Sequence, residues 1–120
     1  MSNYPKAIGS YSAYREANGL LFISGQLPIN PNSGEIESED IKEQTKQSLK
    51  NIGAILEENG ISYDRVLKTT CFLANISDFA AFNEVYSEFF QAPYPARSAF
   101  AVKDLPKGAK VEIEVIASKG

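Results

Sequence analysis

The spacing of hydrophobic positions switches between a period of two and a period near 3.6 along this chain, and each switch marks an element. Tyr11 to Ala17 and Leu20 to Gln26 are strand-like runs joined by Asn18-Gly19, the strongest short-range hairpin signal. The segment from Leu27 to Glu37 holds Pro28, Pro31, Asn32, Ser33 and Gly34 and reads as a loop. From Ser38 the pattern turns helical: Ile41, Thr45, Leu49, Ile52, Ile55 and Leu56 share a face, while Lys42, Glu43, Lys46, Lys50 and Glu57 form a solvated one. Ser38 is the expected N-cap, Glu39 and Asp40 suit the first turn, and Asn59-Gly60 supplies the left-handed stop. Arg65 to Ala74 lacks polar alternation and predicts a strand buried on both faces. Ser77 or Asp78 then caps a second helix, whose stripe of Phe79, Phe82, Val85, Tyr86, Phe89 and Phe90 is explained by core packing. Asn83 interrupts that stripe, either bonding backbone or facing a cavity.

The C-terminal pattern returns to period two. Tyr94 to Val102 and Lys110 to Ile116 flank Leu105-Pro106-Lys107-Gly108, a composition that predicts a second hairpin. In its second run Val111, Ile113 and Val115 share one face, and Glu112 and Glu114 the other. Arg97 follows Pro95-Ala96 at the expected start of the first run. Paired across such a hairpin, Arg97 and either glutamate could form an ordinary ion pair worth only ~0.2–1 kcal/mol. A glycine ending the second strand, Gly25, marks a bulge or a close approach to the backbone. The order hairpin, helix, strand, helix, hairpin predicts one α+β domain spanning 1–120, with both helices on one face of a mixed sheet. The other face, carrying Ile116, Ala101, Phe100 or their neighbours beside Glu112 and Glu114, would expose apolar area, so self-association and a site between subunits are expected.

Composition narrows the chemistry. The 120 residues include one cysteine and no histidine, which removes zinc sites of Cys/His type, serine triads and any histidine general base. Cys71, in the third strand, reads as an inert core thiol. The chain lacks a signal-like segment and any apolar run near the ~20 residues of a membrane span, so a cytoplasmic protein without membrane contact is expected. A net charge of −3 argues against nucleic acid as a partner, Lys103, Lys107 and Lys110 being only a local cluster.

Tyr94-Pro95-Ala96-Arg97-Ser98, then Leu105-Pro106 and Val111-Glu112-Ile113-Glu114, resembles the C-terminal signature of the Rid family of reactive-intermediate deaminases, also called the YjgF family. Ala7 to Ser12 is similar to that family's Gly-Pro-Tyr-Ser element, Ile23 to Pro28 to its Ser-Gly-Gln block, and Ser77 through Asn83 and Tyr86 to its second helix. The resemblance implies a chorismate-mutase-like fold, a homotrimer with ligand sites between subunits, and cofactor-free, metal-free hydrolysis of 2-imino acids such as 2-iminobutanoate and 2-iminopropanoate. It further implies that Arg97 binds the substrate carboxylate and Glu112 positions water, both counted as catalytic. Tyr11, Gly25, the backbone at Ala99, and Asn83 complete the expected substrate-binding set. Ser10 stands where the family usually has proline, and Ala99 where close relatives of the deaminase subgroup often carry cysteine. A trimeric small-acid binding or regulatory protein using the same arginine is the competing expectation, and the two separate at Glu112, which would repel a ligand carboxylate.

Overall fold

The Asn18-Gly19 turn closes the first hairpin with φ of 53° and 76°, the paired left-handed geometry that matches the strands' twist. In the computed structural model, which describes residues 3–120, it joins β1 (Tyr14–Ala17) to β2 (Leu20–Gln26), with Tyr14 opposite Ile23. β1 begins later than its pattern suggests, because the preceding loop is held to β2 by side chain as well as backbone. Ser24 N–H donates to Ala13 O at 2.9 Å, and Ser24 Oγ to Ser12 O at 2.6 Å.

Helix α1 (Ile41–Glu58) is capped by Asp40, whose Oδ2 accepts from the Glu43 amide at 3.0 Å. Ser38, the expected cap, sits two residues too early to reach that amide and instead accepts from Asp40 N–H at 3.0 Å. The helix stops at Asn59 and Gly60, with φ of 76° at the glycine. Leu49, Ile52, Ile55 and Leu56 are buried as the period requires. So is Asn51: its amide donates to Leu27 O and Ile29 O at 3.1 and 3.0 Å, pinning the loop after β2 to the helix.

β3 (Val66–Leu73) leads through a short 3-10 turn into α2 (Phe79–Phe89). Neither Ser77 nor Asp78 supplies a capping bond. Asn75 Oδ1 does, accepting from Ser77 N–H at 2.9 Å one turn earlier. β4 (Ala96–Ala101) and β5 (Val111–Ser118) complete a five-stranded mixed sheet in the order β1-β2-β5-β3-β4. The expected second hairpin is therefore absent. β4 runs parallel to β3, with Thr69 opposite Arg97 and Cys71 opposite Ala99, and β5 inserts antiparallel between β2 and β3. The reason is the intervening helix: β3-α2-β4 forms a crossover unit, and such a unit pairs its strands in parallel. Residues 102–110 then carry the chain past β3 rather than back along β4. Burial agrees, since Val111, Ile113, Val115 and Ala117 are buried and demand a central strand, whereas most of β4 is exposed at the edge.

Both helices cover one face of this sheet, as predicted. β3 is not buried on both faces: Val66, Thr69, Cys71 and Leu73 are buried, but Lys68, Thr70 and Phe72 look out on the uncovered face and are only half-buried. Phe22 and Phe100 join that face at 42% and 45% exposure, and Phe100 meets Phe72 edge-to-face at 5.5 Å. Ala101, expected there, pairs with Leu73 on the helix side, because adjacent strand residues alternate.

Asn51→Ala would strip two loop carbonyls of their donor, so a loss of about 2–3 kcal/mol is expected in urea unfolding at fixed protein concentration.

Candidate ligand site

Arg97 leaves β4 on the helix side of the sheet, since its partner Thr69 is buried there. Its guanidinium lies against two rings of α2, with Cζ 4.7 Å from the centre of Tyr86 and 5.3 Å from that of Phe79. Its Nη1 donates to Asn83 Oδ1 at 2.7 Å. Asn83 thus faces a cavity rather than backbone, and Tyr86, read only as core, is also a wall of the site. Tyr86 is fixed in turn by a 2.9 Å hydrogen bond between its hydroxyl and that of Thr69. Arg97, Asn83 and Tyr86, with Ser87, Tyr94 and Pro95, line an open pocket of about 410 Å³. Arg97 is exposed and forms no ion pair among the described residues. A guanidinium that stays charged, rests on ring faces and lacks a carboxylate partner is chemically able to receive an external anion. Ala99 lies two residues further along the same face, half-buried and packed on the core, beside Cys71 in the register. Cys71 is buried, and burial pushes its thiol up to about 11, so it remains protonated and inert.

Glu112 is elsewhere. Its register partner is Phe72, and it projects from the uncovered face. β3 separates its strand from β4, so no cross-strand ion pair with Arg97 exists. No protein group donates to its carboxylate among the described residues. Burial, with a smaller contribution from Glu114, raises its pKa above the usual carboxylate value. Gly25 makes room for it. The β2–β5 register shifts between Ile23 and Gln26, and a Cβ built on Gly25 would lie 2.9 Å from Glu112 Cδ. Both readings of that glycine, bulge and close approach, hold together. Tyr11 is not at a strand start but in the loop before β1, 55% exposed. It lines a concavity of about 550 Å³ on the uncovered face with Ser12, Phe22, Ser24, Thr70 and Glu114.

The structure therefore brings the expected residues together in two groups. Arg97, Asn83 and Ala99 share the helix side at the β4 edge; Glu112, Gly25 and Tyr11 share the uncovered face. Among the described residues no group of three His, Cys, Asp or Glu side chains could hold a metal, and no helix is long and apolar enough to cross a membrane.

The fold is an α+β sheet with two helices on one face, an arginine without an ion-pair partner among the described residues at its edge and a half-buried glutamate on its open face. The family model described as Endoribonuclease L-PSP matches residues 1–119. The chain belongs to this family, the YjgF/Rid family. A Lactococcus lactis protein that bears the name "Putative regulator AldR" is 55% identical over 94% of this chain and 90% of its own length. The human 2-iminobutanoate/2-iminopropanoate deaminase is 44% identical over 97% and 85%. Escherichia coli TdcF, solved with bound serine, superposes with a TM-score of 0.93 at 42% identity, covering 98% of this chain and 94% of that one.

The raised pKa of Glu112 has a defined sign for stability. Above the folded value, the folded chain holds a half-buried charge that the unfolded chain solvates, so this residue detracts from stability at neutral pH; the penalty shrinks as pH falls through the folded pKa and is gone below the lower, unfolded one. Glu112→Gln should accordingly raise Tm at pH 7, with the gain shrinking on acidification; a pH series of thermal melts checks this.

Proposed function

We propose that this protein hydrolyses 2-imino acids to 2-keto acids and ammonia, in sites assembled between copies of the chain. The observation that supports this most directly is that Arg97 and Glu112 emerge on opposite faces of one sheet, so neither can serve the other's ligand within a single chain. A second copy that lays its uncovered face, with Glu112, Gly25 and Tyr11, against the β4 edge would join the halves. Such packing would also cover Phe22 and Phe100. Three copies closing a ring is the arrangement this reading adopts.

Arg97 grips the substrate carboxylate and fixes the adjacent C=N carbon in space. Glu112 holds a water against that carbon and accepts a proton as the C–O bond forms. The product of addition is a carbinolamine. Glu112 then returns its proton to the amine nitrogen, the C–N bond breaks, and the hydroxyl proton passes to the departing ammonia as the C=O bond of the ketone forms, so that a substrate protonated on its imine nitrogen yields the keto acid and ammonium. A carboxyl group whose pKa burial raises above the usual carboxylate value is the better suited to both transfers. The names of the human relative and of the family's reactive-intermediate deaminases support this reading.

A second reading, a carboxylic-acid binding or regulatory protein without turnover, draws support from the name of the Lactococcus relative and from the serine held by TdcF. Glu112 argues against it, because an acceptor for a carboxylate has no use for a second carboxylate. We infer no role at RNA: the net charge of −3 gives phosphate backbones no long-range attraction.

A purified threonine or serine dehydratase, coupled to this protein with semicarbazide as imine trap, tests the proposal. Keto-acid release should accelerate over spontaneous hydrolysis, and Arg97→Ala and Glu112→Gln should each lower the catalysed rate about 100-fold or more. Saturable ligand binding without acceleration would favour the second reading.

A further inference from the structure

We infer that Asn83 is a positioning residue for Arg97: it orients the guanidinium through a neutral amide oxygen, and its neutrality keeps that guanidinium available to a carboxylate ligand. The inference rests on the reading of Arg97 as the carboxylate-binding group.

The geometry is specific. Arg97 is exposed, and a long exposed side chain ordinarily samples many rotamers. Here one face is held by the rings of Tyr86 and Phe79, and one donor, Nη1, is committed to Asn83 Oδ1 at 2.7 Å. The remaining donors have no protein acceptor among the described residues. The arginine is therefore preorganised with part of its fork unoccupied, which reduces the ordering cost of gripping a carboxylate. Asn83 is itself placed by α2, half-buried one turn from Phe79 and one residue after the buried Phe82, so its own rotamer is confined.

The choice of amide over acid matters chemically. Aspartate has nearly the shape of asparagine and would accept the same hydrogen bond. It would also pair with Arg97, compete for its donors, and repel an incoming carboxylate. A hydrogen bond kept merely for stability would be preserved or strengthened by aspartate. One that keeps the arginine's charge free would be damaged by it. The two roles thus predict opposite orders for the same pair of variants.

The test measures equilibrium binding of 2-oxobutanoate, a stable carboxylate probe, to wild type, Arg97→Ala, Asn83→Ala and Asn83→Asp, with a thermal melt of each. Binding should be lost in Arg97→Ala. Asn83→Asp should weaken it about tenfold or more, and Asn83→Ala by less, although aspartate is the closer shape. In the dehydratase-coupled assay Asn83→Asp should raise KM with kcat largely retained, since carboxylate binding is shared by ground and transition states. A fall in folded protein alone would leave KM unchanged. If Asn83→Asp binds as wild type does, or better than Asn83→Ala, while Arg97→Ala still loses the probe, the inference falls and the arginine assignment survives. If Arg97→Ala binds as wild type does, or wild type does not bind, both fall.

Discussion

Alternation across a pleated sheet decides, residue by residue, on which face a side chain emerges, and strand register extends that decision to every neighbour. Thr69 faces the helices, so Arg97 opposite it does too. Phe72 faces outward, so Glu112 does as well. The two groups with the most chemistry to offer are thereby held apart by the sheet itself. They lie on opposite faces of one chain's sheet, and on the proposed reading a second chain laid against the first joins them. Oligomerisation is in this account a condition for the site and not an addition to it.

The same sheet explains how each half is prepared. On the helix side, α2 supplies aromatic rings and an amide that hold a guanidinium without neutralising it. On the uncovered side, a bulge in β2 places a glycine whose absent Cβ would lie 2.9 Å from Glu112 Cδ, and the carboxylate is left half-buried with no donor among the described residues. Each half departs from what stability alone would favour. An unpaired arginine and an unpaired glutamate both become intelligible when the missing partner is a ligand and its water.

Periodicity makes the helices, the first hairpin and the buried face of β5 legible in the amino-acid sequence, because each is set by local spacing and turn chemistry. Val111, Ile113 and Val115 are buried as their alternation requires, and Asn18-Gly19 turns as its φ preferences require. The pairing of β4 is not legible in the same way. A Pro- and Gly-containing connection looks like a hairpin turn, and nothing local to it reports that β3 and β4, linked by α2, pair with each other in parallel. That one non-local fact separates Arg97 from Glu112. The resemblance to a known family singles out both residues as candidates, yet only the register shows that they lie on opposite faces. Tyr86 is hidden for a different reason: an aromatic residue on an apolar stripe packs its body in the core while one ring face serves the site.

Subunit complementation tests the central claim most directly. Arg97→Ala and Glu112→Gln chains, each inactive alone, are co-expressed and the mixed assemblies assayed for imine hydrolysis. If each site takes its arginine from one copy and its glutamate from the next, random mixing in a closed ring restores on the order of a quarter of wild-type activity. If the mixture stays as inactive as its parents, both residues act within one chain or not at all, and the account fails.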